Sequence, residues 1–177
     1  MRRQRLALPI RAQRQAGERF MRLALRKGIL RHQHIALYMP VGGELDVLPL
    51  LNRLLWLKRH CYLPNLPKSL QRRKMCFSRV GSRGSWQLNR FGISEFHSLK
   101  KFPLRRLDAV ILPLVAFDPA GGRLGMGGGF YDTTFSFLRL RGKWRQPKLI
   151  GAAYRFQQVD CLPLEPWDVP LDDVWAV

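Results

Sequence analysis

The sequence predicts one α/β domain, a three-layer αβα sandwich with a largely parallel central sheet. Three observations predict it. Short apolar strand runs alternate with helix-period segments along the chain. The run at 107–117 is nearly continuous, as in strands buried on both faces. The densest glycine cluster follows that run directly, where open α/β sheets place ligands beyond the carboxyl ends of their strands. The 177 residues suit one domain, and 1–177 is read as one unit, without internal repeat, low-complexity segment or linker.

Each element has its own warrant. At 10–29, Ala12, Ala16, Phe20, Leu23 and Ala24 recur at helical spacing among arginines, with Met21 and Leu25 widening the stripe. This is an amphipathic helix closed by Gly28. The run 34–41 is rich in strand formers and stops at Gly42-Gly43. Apolar residues at 47, 48, 50, 51, 54, 55 and 57 make 45–60 a second helix, with Pro49 tolerable in its first turn. A second strand spans 61–66. The stretch 68–101 is less regular and carries short strands near 75–80 and 86–89. The strand 107–117 leads into the glycines, 131–140 reads as a helix, and 148–154 and 174–177 as the last strands.

Composition excludes several classes. A chain 46% hydrophobic and 11% aromatic buries a core and is not disordered. The longest apolar run, 109–117, is broken by Pro113 and falls far short of the ~20 residues that span a bilayer. Cys61, Cys76 and Cys161 are widely spaced and form no Cys-x-x-Cys, which argues against a disulfide framework or zinc ribbon and for a cytoplasmic setting. The basic start has no apolar stretch behind it, so it is not a secretory signal.

Charge is uneven. The net charge is +19, yet up to Arg106 there are 24 basic and 4 acidic residues, and beyond it 7 and 8. Such a field favours polyanions.

The segment Gly122-Arg-Leu-Gly-Met-Gly-Gly-Gly-Phe-Tyr-Asp132 joins a strand to a helix. Gly122, Gly125, Gly127, Gly128 and Gly129 allow positive φ and can turn successive N–H groups on an anion. The following helix adds its positive end. Arg123 can grip a phosphate with a two-pronged fork, and Asp132 suits a phosphate-bound magnesium ion. The segment lacks the Gly-Lys-Ser/Thr end of a Walker loop and the context of a dinucleotide fingerprint.

Pro113-Leu-Val-Ala-Phe-Asp118 followed by Arg123-Leu-Gly-Met-Gly-Gly-Gly-Phe-Tyr-Asp132 resembles the signature of the 5-formyltetrahydrofolate cyclo-ligase family. The likeness extends through Gly42-Gly43-Glu44-Leu-Asp46, Tyr62-Leu-Pro64, Asn89-Arg-Phe-Gly-Ile-Ser-Glu95 and Glu165-Pro-Trp-Asp168, and covers nearly the whole chain. It implies an enzyme that uses ATP and Mg2+ to cyclise 5-formyltetrahydrofolate to 5,10-methenyltetrahydrofolate through a phosphorylated formyl group. By position it implies a nucleotide site of Arg123, Leu124, Gly125, Met126, Gly127, Gly128, Gly129, Phe130 and Tyr131, with Arg123 and Tyr131 catalytic. The folate side would take Met39, Glu44, Met126, Gly127, Gly128, Gly129 and Phe130, with Glu44 on the pterin edge. Asp132 and Asp168 would face the metal. A monomer is expected.

Three departures accompany the resemblance. The family's first helix carries a basic pair ahead of an Arg-x-x-Leu/Met-Ser/Thr turn. Here Arg5-Leu-Ala-Leu8 corresponds to that turn, Pro9 stands at the Ser/Thr position, and the first member of the pair falls before Met1. The N-terminal helix is therefore expected to be truncated, with Arg2, Arg3 or Arg5 as a substitute and the full pair out of register. Phe96 stands where a proline is usual. The positive charge exceeds what one polyglutamylated folate tail requires.

The alternative reading is a catalytically impaired relative whose basic half binds RNA or another polyanion, with aromatics near 86–91 as stacking surfaces. His32, His34, His60 and His97 show no metal-ligand spacing.

Overall fold

The computed structural model describes residues 1–69, 71–140 and 146–177. It is an α/β sandwich built on a seven-stranded sheet. The strands are β1 (His34–Ala36), β2 (His60–Asn65), β3 (Cys76–Arg79), β6 (Lys101–Phe102), β7 (Ala109–Pro113), β10 (Lys148–Ala153) and β11 (Asp173–Ala176), in spatial order β11-β10-β7-β1-β2-β3-β6. β1, β2, β7, β10 and β11 run parallel, while β3 and β6 extend the edge antiparallel. Two small ribbons stand apart, β4 (Gly84–Leu88) with β5 (Ser94–Ser98), and β8 (Ala116–Phe117) with β9 (Arg123–Leu124).

The period-2 alternation of each strand divides the core into two layers. Ile35, Cys61, Leu63, Ala109, Ile111 and Ile150 face one side. There α2 (Ile10–Arg26) and α3 (Leu48–Trp56) cover them with Ala16, Phe20, Ala24, Leu50 and Leu54. Ala36, Tyr62, Val110, Leu112 and Leu149 face the other, beneath Phe135, Leu138, Val169 and Leu171. Each large side chain so buried contributes roughly 1.5–3 kcal/mol.

Element boundaries differ from expectation for local reasons. A short helix, α1 (Arg2–Ala7), precedes α2 and is separated from it by Pro9, the N-cap of α2. The first strand is only three residues; beyond Leu37, whose N–H still reaches Tyr62 O at 2.9 Å, the chain peels into a turn. α3 starts late because Asp46 Oδ1 accepts from Leu48 N at 2.9 Å in an Asx turn ahead of it. The 107–117 run is split because Pro113 has no N–H for the ladder, and β8 turns away to pair with β9. The strand expected at 86–89 belongs to a hairpin whose second arm, β5, carries Glu95 and His97 among its residues and has no apolar alternation to announce it. The helix expected over 131–140 is a six-residue α4 (Phe130–Phe135) continued by a 3-10 segment, Ser136–Leu140.

In this order β1 has β2 on one side and β7 on the other. The chain leaves β1 for β2 and leaves β7 for β10, so the crevice between the ends of β1 and β7 is a topological switch point. The turn after β1 and the glycine loop after β9 both lie beyond these carboxyl ends.

Candidate active site

The turn after β1 is built on two glycines in the left-handed region, Gly42 at φ 57° and Gly43 at φ 74°. Glu44 closes it twice: its N–H donates to Val41 O, and its Oε2 accepts from Val41 N, both at 3.1 Å. A Cβ on Gly43 would lie 2.8 Å from Arg5 O, so only glycine lets α1 rest there. Glu44 is 8% exposed. Burial pushes its carboxyl above the ordinary range, opposed by the Val41 N–H and the charge of Arg5.

Arg5 is 1% exposed and donates from Nη1 to Leu114 O at 3.0 Å. Gln157 Nε2 donates to the same carbonyl at 2.7 Å and to Val115 O at 3.0 Å. These two side chains thus satisfy carbonyls orphaned where the strand breaks after Pro113. Two buried polar atoms beside them, Arg5 Nε and Tyr154 Oη, have no partner among the described residues. Burial raises the Tyr154 hydroxyl, and the charge of Arg5 lowers it, which places the two groups in one neighbourhood.

The glycine loop is anchored at both ends. At its start, buried Asp118 accepts from Ala120 N at 3.0 Å and Gly122 N at 2.8 Å through Oδ1, and from Leu162 N at 3.0 Å through Oδ2. The N–H of Gly122 is therefore committed to the hairpin, and this glycine is no part of an anion cradle. A Cβ there would meet the Asp118 carboxylate at 2.6 Å. At the far end, Arg123 Nη2 donates to Asp132 Oδ1 at 2.6 Å and Nη1 donates to Val169 O at 2.8 Å. Asp132 Oδ1 also accepts from Val169 N at 3.1 Å. One salt bridge thus ties β9, α4 and the segment at 169 together, with the Arg123 side chain 6% exposed.

Between these anchors Gly125, Met126 and Gly127 are exposed, and a Cβ on Gly125 or Gly127 would meet nothing within 4 Å. Among the described residues no side chain accepts a hydrogen bond from the N–H groups of 125–129. Gly127 and Gly129 have φ of 81° and 61°, the conformations that turn N–H groups toward an anion. Because α4 has only six residues, the loop's N–H groups and not a helix dipole carry any attraction for phosphate.

Tyr131 stacks on Phe135, with centroids 6.5 Å apart. Burial raises its hydroxyl well above the usual range; the charge of Glu44 raises it further and Arg123 lowers it. Glu44, Tyr131, Arg123 and Asp132 are thus gathered at the switch point. Asp168 joins them through its neighbour Val169, while its own Oδ2 accepts from Glu165 N at 2.9 Å. Phe130 packs half-buried on the α4-side core. Met39 packs on the α2–α3 side core, past the end of β1. Leu124 and Met126 project outward, 49% and 60% exposed.

The family model for the 5-formyltetrahydrofolate cyclo-ligase family matches residues 1–177. The chain belongs to that family. A 5-formyltetrahydrofolate cyclo-ligase of Haemophilus influenzae is 40% identical over 146 residues, covering 80% of this chain and 74% of its own length. Among solved structures, a 5,10-methenyltetrahydrofolate synthetase of Aquifex aeolicus superposes with a TM-score of 0.78 at 29% identity, covering 98% of this chain and 84% of that one. One from Mycoplasma pneumoniae gives 0.72 at 25%, covering 98% and 92%. The cyclo-ligase fold expected from the sequence is the one observed.

Two carboxylates of the site could take part in holding a metal ion. Asp132 and Asp168 each keep one carboxylate oxygen outside the hydrogen bonds above, hard donors of the type Mg2+ takes when phosphates and water complete its shell. Among the described residues no group of three or more His, Cys, Asp or Glu could hold a metal without such help. Two shallow clefts lie elsewhere: one of about 510 Å³ between α2 and Asp46–Pro49, and one of about 410 Å³ along 117–121 and 171–174. Sequence reasoning assigned no role to the buried partners Asp118 and Gln157. Arg5, expected as a substitute in the family's basic pair, is instead buried on Leu114 O. Its burial depends on Gly43 and Leu114, both distant in sequence, and no local pattern encodes that.

Proposed function

We propose that this chain catalyses the ATP- and Mg2+-dependent cyclisation of 5-formyltetrahydrofolate to 5,10-methenyltetrahydrofolate, releasing ADP and phosphate. The observation that carries the reading is the anchored glycine loop, its N–H groups uncommitted, beside a buried carboxyl at the switch point.

The chemistry needs little from covalent catalysis. A formamide oxygen is a poor leaving group. Its attack on the γ-phosphorus of ATP breaks the bond to ADP and leaves an iminium phosphate. N10 then attacks the formyl carbon, loses its proton, and inorganic phosphate departs to complete the bridge. The protein positions both co-substrates and stabilises charge on the phosphoryl group in flight.

In this reading the 125–129 loop cradles the phosphates, Phe130 and Met126 flank the formyl end, and Met39 lines the pterin side. Glu44 accepts from the amino-amide edge of the pterin. A buried carboxyl there discriminates by hydrogen bonding, because an unmatched partner would leave it unpaired. Tyr131, kept as the neutral phenol, is a hydrogen-bond donor to the transferring group. Arg123 keeps N–H donors beyond those used on Asp132 and Val169, and its anchors aim it. Asp132 and Asp168 hold Mg2+, which when bound neutralises the phosphate oxygens. Tyr154 Oη and Arg5 Nε complete their hydrogen bonds with substrate or with water.

The test follows methenyl absorbance from 5-formyltetrahydrofolate with and without MgATP. ATP-dependent growth is expected. Arg123→Ala is expected to slow turnover by about 10²-fold or more, as for loss of one donor to a developing charge. Folded protein that binds the folate but shows no growth would refute the assignment and favour a non-catalytic relative.

A further inference from the structure

The phosphate cradle just described has a shortage of positive charge. From Leu124 to Tyr131 the loop contains no Lys or Arg. Arg123, at its base, is held in a salt bridge to Asp132 and a hydrogen bond to Val169 O, so its charge is already matched by a carboxylate. A triphosphate on the loop needs a cation from another element.

One is in place. The segment before β3 is pinned to α4 by Met75 N, which donates to Thr134 Oγ1 at 2.9 Å. Thr134 is buried and bonds back to Phe130 O, at the end of the loop. This fastening brings Arg73 over the loop: its Nη1 lies 3.2 Å, and its Cδ 3.8 Å, from where a Cβ on Gly129 would stand. Among the described residues Arg73 has no hydrogen bond or ion pair, and its side chain is exposed. Gly129 therefore serves twice, adopting φ 61° and leaving room for a guanidinium to lie on the backbone.

We infer that Arg73 is a further catalytic residue, the unmatched guanidinium that grips the terminal phosphoryl group of the nucleoside triphosphate across the loop. The assignment rests on the reading of 125–129 as the phosphate cradle. Arg123, its charge matched by Asp132, shapes the loop and keeps a donor for the phosphoryl group, and Arg73 adds the unmatched cation. A planar fork suits a phosphate better than a point charge does, so lysine should replace it only in part.

The experiment compares Arg73→Ala, Arg73→Lys and, as a neighbouring-charge control, Arg72→Ala. Steady-state kinetics are read in ATP and in folate separately, and pyrophosphate binding is read by calorimetry. Arg73→Ala should lower kcat/KM for ATP by about 10²-fold and weaken pyrophosphate by at least tenfold, with the folate KM within twofold and the melting temperature unchanged. Arg73→Lys should recover part of both. Arg72→Ala should change either by no more than threefold.

Equal losses in Arg72→Ala and Arg73→Ala would mean a diffuse field and overturn the assignment. So would a defect confined to polyglutamylated folate, which would place Arg73 on the substrate tail. If the wild-type protein forms no methenyl product, the proposed function fails, and pyrophosphate binding still decides Arg73: unchanged binding in Arg73→Ala overturns the inference.

Discussion

Glu44 joins a structural cost to its proposed binding role in one side chain. Its carboxyl is raised by burial, which outweighs the Val41 N–H and the attraction of Arg5. An acid with a raised native pKa binds its proton more tightly when folded. It therefore adds stability below its unfolded pKa, and that contribution is lost as pH rises through the raised native value. Glu44→Gln keeps an oxygen for Val41 N and removes the titration. In urea unfolding the variant should equal or exceed wild type at pH 8 and lose that advantage near pH 4, while the folate KM rises at least tenfold. A variant less stable than wild type at pH 8 would contradict this account. None of it was legible locally, since an acidic residue after Gly-Gly reads as an ordinary loop. Glu44 is closed in by elements distant in sequence: α1, which rests on Gly43, and Tyr131 of α4. The aspartates behave differently. Asp132 was singled out from its place after the glycines, whereas its bond to Arg123 depends on how β9 folds back.

Among elements, the glycine loop separates steric from chemical demand. Gly125 has open space around it and no positive φ, whereas Gly129 sits at φ 61° beneath Arg73. Gly129→Ala should cost about 1–2 kcal/mol of stability, the penalty for an L-residue in the left-handed region. Gly125→Ala should stay within about 0.5 kcal/mol yet raise the ATP KM, because its methyl enters the space a phosphate needs. Equal melting temperatures for the two variants would overturn the first half of this expectation. The loop's position between strand and helix was legible from apolar runs and glycine density. The length of the helix after it was not. Phe135 and Leu138 hold the same spacing in a 3-10 continuation as in a full helix, so the apolar pattern alone does not reveal where the α-geometry stops. The β5 arm was missed for the converse reason: its alternation is masked by Glu95, buried against Leu66 N and Asn89 Nδ2.

At the scale of the whole molecule, the layering and the largely parallel sheet followed from the alternation of strand and helix signals; the order of the strands and the antiparallel edge did not. β3 and β6 are short and lie in the basic, irregular stretch. That stretch and the helices before it give the first 106 residues 24 of the chain's 31 Lys and Arg. A field this large acts on substrates before contact and is screened within about 10 Å at 0.1 M salt. If it draws in a polyglutamylated folate, the ratio of kcat/KM for penta- over monoglutamate should fall severalfold between about 0.05 M and about 0.5 M KCl. A ratio indifferent to salt would detach the charge from the folate tail and return it to the RNA reading. The contact of Gly43 with Arg5 O has a different reach. It makes α1 and the turn after β1 a single inheritable unit: a homologous α1 grafted from a relative would fit only if it came with its own turn. Drift at the N-terminus is therefore restrained by a position that α1 itself does not contain.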